Sequence, residues 1–136
     1  MVVGDGGGLP LGVLLESASP AEVKLLEPTL DQMTVPKRSR HKAERIILDR
    51  AYDSDPLRAR LAKRGLEMIC PHKCNRVKPA TQDGRKLRRY KRRWIIERTI
   101  AWLGNFRRLV VRYERKIMMY QAFIHVACLL IVARQF

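Results

Sequence analysis

Two acids in this chain stand where a carboxylate could do chemistry. Asp49 closes RIIL (45–48), a short apolar strand followed by turn residues. A strand end fixes the backbone and delivers the carboxylate at the C-terminal edge, where open α/β sheets bind ligands. A hard divalent cation needs a few rigidly placed carboxylate oxygens, with water and substrate phosphate completing its shell. A plain turn cap or a pair with Arg50 competes with that reading. Glu97 is the other acid. It ends RKLRRYKRRWIIER (85–98), in which seven of the first nine residues are Lys or Arg and no acid precedes it. At helical spacing Glu97 shares a face with Tyr90, Arg93, Trp94 and Ala101. Trp94 and Ala101 suggest that this face packs inward, so Glu97 is expected to be partly buried. It then needs a partner, either Arg93 four residues earlier or a metal ion.

The cations around Glu97 have their own chemistry. The 136 residues carry a net charge of +15, but residues 1–34 hold one lysine against five acids. From Arg85 onward there are fourteen Lys and Arg and only two acids, Glu97 and Glu114. So uneven a charge calls for a polyanionic partner, and phosphate neutralisation explains it better than solubility does. Like charges three and four apart repel one another on a helix unless a counter-charge is present. Tyr90 and Trp94 could stack on an exposed base, although their shared helical face favours the core.

Other constellations carry less. Cys70, His72 and Cys74 in CPHKC resemble half of a zinc site, but the spacing is cramped and no second Cys/His pair follows, against the usual four ligands. The glycines of GDGGG lack the Gly-Lys-Ser/Thr ending of a phosphate loop, and Leu9 stands where G-x-G-x-x-G needs its last Gly. Three cysteines give no disulfide framework and fit a reducing cytoplasm, and no signal peptide is visible at MVVGDGGG. IMMYQAFIHVACLLIVA (117–133) is at the short limit for a membrane span and has Tyr120, Gln121 and His125 inside it, so a buried helix is expected and no membrane.

The elements that must hold these residues follow from pattern. VV, the glycine-rich turn and LPLGVLLES predict a hairpin, with Asp5 a turn residue. Ser19-Pro20 caps a helix from about 20 to 33, with Pro28 able to divide it. Residues 34–44 form a basic loop, RIIL a strand, and Asp53 or Ser54 caps a helix that Gly65 closes. LEMIC (66–70) is a second strand and residues 71–84 a basic loop. A long basic helix is expected from about Arg85 to Arg107, broken or bent near Gly104-Asn105, and a last one from about Lys116 to Arg134. The order β-β-α-β-α-β-α-α is an α/β pattern with helices against one sheet.

Four stretches in this order, GLPLGVLLESAS, LDRAYDS, PHKCNR and YKRRWIIERTIAWLGNFRRLVVRYE, resemble the DDE transposases of bacterial insertion sequences, in the group of the fourth and fifth insertion-sequence families. The resemblance covers nearly the whole chain. It implies a ribonuclease-H-like core in which two Asp and one Glu bind two Mg²⁺ ions for in-line attack on a DNA phosphodiester. Residue by residue, it maps the second Asp to Asp49, and Tyr-x₂-Arg-x₃-Glu to Tyr90, Arg93 and Glu97. Gly104 stands where a Lys is expected, and Arg107 and Arg108 compensate for that DNA contact. The first catalytic Asp of the family precedes the opening hairpin, so residues 1–136 are expected to be a partial catalytic domain. That domain would be truncated at the N-terminus, without the first catalytic strand and the DNA-binding region.

The expected function is therefore DNA transposition, metal-dependent strand cleavage and transfer, by a C-terminal part that is inactive alone, its Mg²⁺ site incomplete. Asp49 and Glu97 are the expected catalytic and metal-binding residues. Tyr90, Arg93, Lys86, Arg88, Arg89, Lys91, Arg92, Arg107 and Arg108 are the expected DNA contacts. The partners would be double-stranded insertion-sequence ends, and a full-length transposase or a second copy of the chain. The alternative is a non-catalytic DNA-binding regulator or inhibitor of the full-length enzyme.

Overall fold

The computed structural model describes residues 1–17, 20–33 and 43–135. In chain order its elements are β1 (Val2–Gly4), β2 (Pro10–Val13), α1 (Glu22–Asp31), β3 (Arg45–Ile47), α2 (Asp55–Lys63), β4 (Glu67–Ile69), α3 (Gly84–Leu87), α4 (Trp94–Gly104), α5 (Arg107–Val110) and α6 (Ile117–Ala133). Two 3₁₀ segments, Arg50–Tyr52 and Arg88–Arg93, complete them. The chain divides into two compact units, Met1–Val35 with Trp94–Phe136, and Pro36–Arg93.

The first unit is built on the opening hairpin, in which β1 and β2 pair antiparallel. Asp5 makes its turn: one carboxylate oxygen accepts from the Gly7 and Leu9 amides at 2.8 Å each, which is how Asp side chains mimic a backbone turn. Gly8 takes φ +90°, open to glycine at little cost. On β2, Gly12 has a different reason to be small. A Cβ there would lie 2.9 Å from Met33 Cγ and 3.0 Å from the Thr29 carbonyl, so α1 sits where only a hydrogen fits. α1 buries Leu26, Thr29 and Leu30. Pro28 lies within it without dividing it, and the expected cap Ser19 lies outside the described residues, as does most of the expected loop at 34–44.

α4 is fastened to the hairpin turn by polar contacts. Arg98 Nη2 donates to the Gly7 carbonyl at 2.7 Å, and the Thr99 hydroxyl, fully buried, lies 2.7 Å from the Gly8 carbonyl. The Arg98 guanidinium also stacks on Trp94 and Trp102, 4.8 Å from each ring centre. α6 runs between Lys116 and Arg134 as its pattern predicts, packs on β2, α4 and α5, and buries Ile124, Ala127 and Ile131. Among the described residues no helix is long and apolar enough to cross a membrane.

The second unit is a β-α-β arrangement. β3 and β4 pair in parallel, with Ile46 opposite Met68 and Ile47 opposite Ile69. Between them α2 carries Leu57 and Leu61 into a core with Ile46, Tyr52, Met68, Ile69 and Cys70. Gly65, at φ +77°, turns the chain out of α2 into β4.

Three expectations are corrected. The described strands form two two-stranded sheets rather than one sheet. The long helix from Arg85 to Arg107 is broken early, into α3, the 3₁₀ segment Arg88–Arg93 and α4, while the break before α5 falls at Gly104-Asn105 as expected. Seven near-adjacent cations disfavour a regular helix, and Tyr90 and Arg93 in that segment bond Asp49 instead. The C-terminal helices are also not both long and basic: α4 holds one Arg and one Glu, and α6, the longest, holds no charged residue at all.

Candidate active site around Asp49

Asp49 lies two residues beyond β3, after Leu48, and caps the 3₁₀ turn Arg50–Tyr52, its Oδ1 accepting from the Arg50 amide at 2.6 Å. The same oxygen accepts from the Tyr90 hydroxyl at 3.1 Å, and Oδ2 accepts from Arg93 Nη1 at 3.0 Å. The backbone is held from behind: the Cys70 thiol donates to the Asp49 carbonyl at 3.0 Å. Burial, with Asp53 adding to it, pushes that thiol up to about 11, so it stays a neutral donor. The Arg50 amide contributes most to holding the Asp49 carboxyl below its ordinary value. Tyr90, Arg93 and Arg50 add to that effect against some desolvation. Tyr90 shifts the other way, raised by burial and by its bond to Asp49. Asp49 is therefore an ionised, half-exposed carboxylate at neutral pH, with a phenol and a guanidinium arranged on it.

The donor set suits a hard cation at Asp49 as one ligand, not as a cage. A carboxylate has about four lone-pair positions, and the Asp49 side chain, with three of them engaged, remains 49 % exposed. Among the described residues no three His, Cys, Asp or Glu gather as a metal-holding group.

Glu97 lies in the first unit, in the first turn of α4. It is exposed, as are Trp94, at 52 %, and Ala101, which corrects the expectation of an inward-facing face. The face of α4 that packs inward is that of Ile95 and Thr99. Trp94 is correspondingly not a core residue, and Tyr90 is half-buried with its hydroxyl on Asp49.

The basic residues divide. Arg88, Arg89, Lys91 and Arg92 are exposed along the 3₁₀ segment. Lys86 instead bonds Glu67, which also pairs with Arg45 at 3.1 Å. In α5, Arg107 is exposed, while Arg108 pairs with Glu114 at 2.9 Å and stacks on Phe123.

The structure also holds a polar cluster that sequence reasoning missed. The Asp53 side chain, 3 % exposed, accepts from the Lys73 amide at 2.9 Å, from Arg58 Nη2 at 3.1 Å and lies 3.0 Å from His72 Nδ1. His72 Nε2 accepts from the Thr81 amide at 3.1 Å. Arg76 bonds Asp55 and the Lys78 and Pro79 carbonyls. These bonds fasten the loop after β4 to the start of α2. The residues of CPHKC are thus each engaged: Cys70 with Asp49, His72 with Asp53, and Cys74 with Arg50 Nη1 at 3.2 Å. Its only sequence signal was a short run of polar residues at Asp53 and His72, which a cap or a metal half-site explains as well.

Residues 1–132 match the transposase DDE domain family. The chain is 37 % identical, over 134 residues, to a protein of Burkholderia cepacia named as a transposase for insertion sequence element IS402; the match takes in 96 % of this chain and 60 % of that protein. It is 35 % identical over 91 residues to one of Brucella ovis named as a transposase for insertion sequence element IS6501, covering 65 % of this chain and 67 % of that protein. The chain thus spans about 60 % of the length of the first of these relatives. No solved structure matches.

Proposed function

The chain belongs to the DDE transposase family of insertion sequences, and from that membership we propose that it works on double-stranded insertion-sequence ends in DNA transposition. Asp49 and Glu97 are two of the acids of its phosphodiester chemistry, in a ribonuclease-H-like core. The observation that carries this reading is the convergence of Tyr90 and Arg93 on Asp49. Residues separated by more than forty positions, drawn from two of the resembling stretches, meet at one carboxylate at the end of a parallel strand.

Each residue has a part that its chemistry supports. Asp49, kept ionised by the Arg50 amide, Tyr90 and Arg93, is a hard oxygen donor suited to a divalent ion, and Glu97 on α4 is a carboxylate of the same chemical kind. Such an ion, when bound, would polarise a phosphodiester and its attacking water or 3′-hydroxyl. Arg93 offers a planar fork suited to a phosphate oxygen pair beside the carboxylate. Tyr90 orients Asp49 through its hydroxyl. Arg88, Arg89, Lys91 and Arg92, with Arg107, hold the DNA backbone by charge. Lys86 and Arg108 already neutralise Glu67 and Glu114 and contribute less. The 136 residues on their own bind DNA and do not cut it.

Fluorescence anisotropy on duplex DNA, with nicking assays in Mg²⁺ and Mn²⁺, tests this. Binding should weaken steeply with salt and no nicks should form. Salt-independent binding would overturn the interface, and robust nicking lost in Asp49→Ala would overturn the inactivity of the isolated chain.

A further inference from the structure

We infer that the loop after β4 is a separate DNA contact, in which Val77, held at the crest of a rigid turn between Lys73 and Lys78, enters the minor groove and kinks the duplex. The inference rests on the DNA-binding reading above and adds to it a contact that the basic segment 88–92 does not supply.

A lone exposed valine is ordinary; a valine built to stay exposed is not. Val77 is 98 % exposed, the barest large apolar side chain among the described residues. The turn beneath it is fixed from several sides. Arg76, its neighbour, points inward with a side chain only 12 % exposed. The Arg76 guanidinium forks onto Asp55 at 2.9 and 3.2 Å. Its Nε also donates to the Lys78 and Pro79 carbonyls at 3.1 and 3.2 Å. The Arg76 amide bonds the Lys73 carbonyl at 3.1 Å, and the Lys73 amide bonds the Asp53 carboxylate at 2.9 Å. The loop is thus wound around an arginine spent inside the protein, a use that its planar fork of donors allows. Pro79 fixes one more backbone angle on the far flank. Val77, stiff at its branched Cβ, is left at the crest with no share in the core.

The charges around the crest select DNA as its partner. The two acids beneath it, Asp53 and Asp55, are met from within by Arg58 and Arg76. Lys73, Asn75 and Lys78 are exposed around Val77, and Lys78, 75 % exposed, stays 3.7 Å from Asp55. A cleft of about 390 Å³ at the start of α2 is lined by Lys73, Asn75, Lys78 and Ser54 as well as the two neutralised acids, which gives a backbone phosphate room and donors. The minor groove satisfies all of these groups at once. It is about 6 Å wide, too narrow for a helix but open to one side chain on a tight turn. Its base steps take the apolar tip, and the phosphates on either side take the lysines. The same compact unit carries the exposed Arg88, Arg89, Lys91 and Arg92, so both contacts belong to one body. Apolar wedges of this kind kink a duplex by about 20–90°, and a short valine belongs at the low end, about 20–40°.

Ring closure of a mixed-sequence duplex of about 120 bp, stiff because it is shorter than the roughly 150 bp persistence length, tests the inference. Anisotropy reads DNA occupancy in parallel, and each protein is added to saturation. The wild type should raise the ligase-catalysed yield of circles about tenfold, because each kink replaces part of the elastic bend. Val77→Ser should lose most of that rise at saturating protein. Val77→Leu, which keeps an apolar wedge, should retain it. The side chain is bare in the fold, so both variants should melt close to wild type. Lys73→Ala and Lys78→Ala should each flatten the salt slope of binding by about one. A wild type that saturates the duplex without raising ring closure would overturn the wedge and leave the DNA reading standing. So would a serine variant that closes rings as well as wild type, or a leucine variant that fails to. Lysine variants with the wild-type slope would overturn the flanking phosphate contacts. A wild type without affinity for the duplex would overturn both this inference and the reading beneath it.

Discussion

Replacing Asp53 by alanine should open the second unit far more than any change at Asp49. The Asp53 carboxylate is 3 % exposed and its partner Arg58 17 %. Its oxygens accept from Arg58 and the Lys73 amide and adjoin His72. Removing it leaves the Arg58 guanidinium without its counter-charge, and Arg58 Nε is already buried without a hydrogen-bond partner. Breaking a buried pair from one side costs about 3–5 kcal/mol; the partial exposure of Arg58 argues for the low end, about 3 kcal/mol. Amide exchange reads that locally, at the Leu48 amide bonded to Ile69 and the Glu67 amide bonded to Glu44. Both should exchange about a hundredfold faster, since each 1.4 kcal/mol is tenfold. Asp49→Asn, at a half-exposed pair, should change them less than about fivefold. The pH dependence follows with its sign. Desolvation opposes it, but the Lys73 amide, His72 and Arg58 together hold the Asp53 carboxyl below its ordinary value. Its stabilisation is therefore present above about pH 4 and is lost as the pH falls through the lower folded value. Asp53→Ala should lack that acid-side loss. Exchange at both amides within threefold of wild type would refute the reasoning.

Three further changes probe other links. Neutralising Arg88, Arg89, Lys91 and Arg92 together should flatten the slope of log binding constant against log salt by about three to four, read by anisotropy on duplex DNA. Tyr90→Phe removes a hydrogen bond that lowers the Asp49 carboxyl; a carboxyl ¹³C titration should show Asp49 moving up while Asp53 stays in place. Gly12→Ala puts a methyl 2.9 Å from Met33 Cγ, and should cost about 1–3 kcal/mol in urea unfolding.

The sequence was most readable where one local rule decided the outcome. The hairpin with Asp5 in its turn, the end of β3 just before the Asp49 turn, Gly65 after α2, and α6 within one residue of its expected ends all follow from turn chemistry or apolar pattern. Reading failed where long-range contacts chose. Arg85–Arg107 has helical periodicity, yet Asp49 holds Tyr90 and Arg93 in a 3₁₀ segment, a pull invisible from residues 88–93 alone. Trp94 and Ala101 predict an inward face for Glu97, yet both are exposed. Thr99, a small polar residue, is what faces the hairpin, and its reason is the Gly8 carbonyl some ninety positions away. The Asp53 cluster was hidden for the same cause, being assembled from three separate segments. Family resemblance supplied the assignment of Asp49 and Glu97, and geometry then added the contacts around the first.

The central claim is that Asp49 and Glu97 are catalytic acids of a DDE transposase, and a chimera tests it most directly. The chain would replace the matching 134-residue stretch of the Burkholderia cepacia relative, and excision of a marked insertion sequence would be counted in cells. The account predicts excision by the chimera, and a loss of more than about a hundredfold on Asp49→Ala or Glu97→Ala at equal protein level. Undiminished excision with either acid replaced would contradict it.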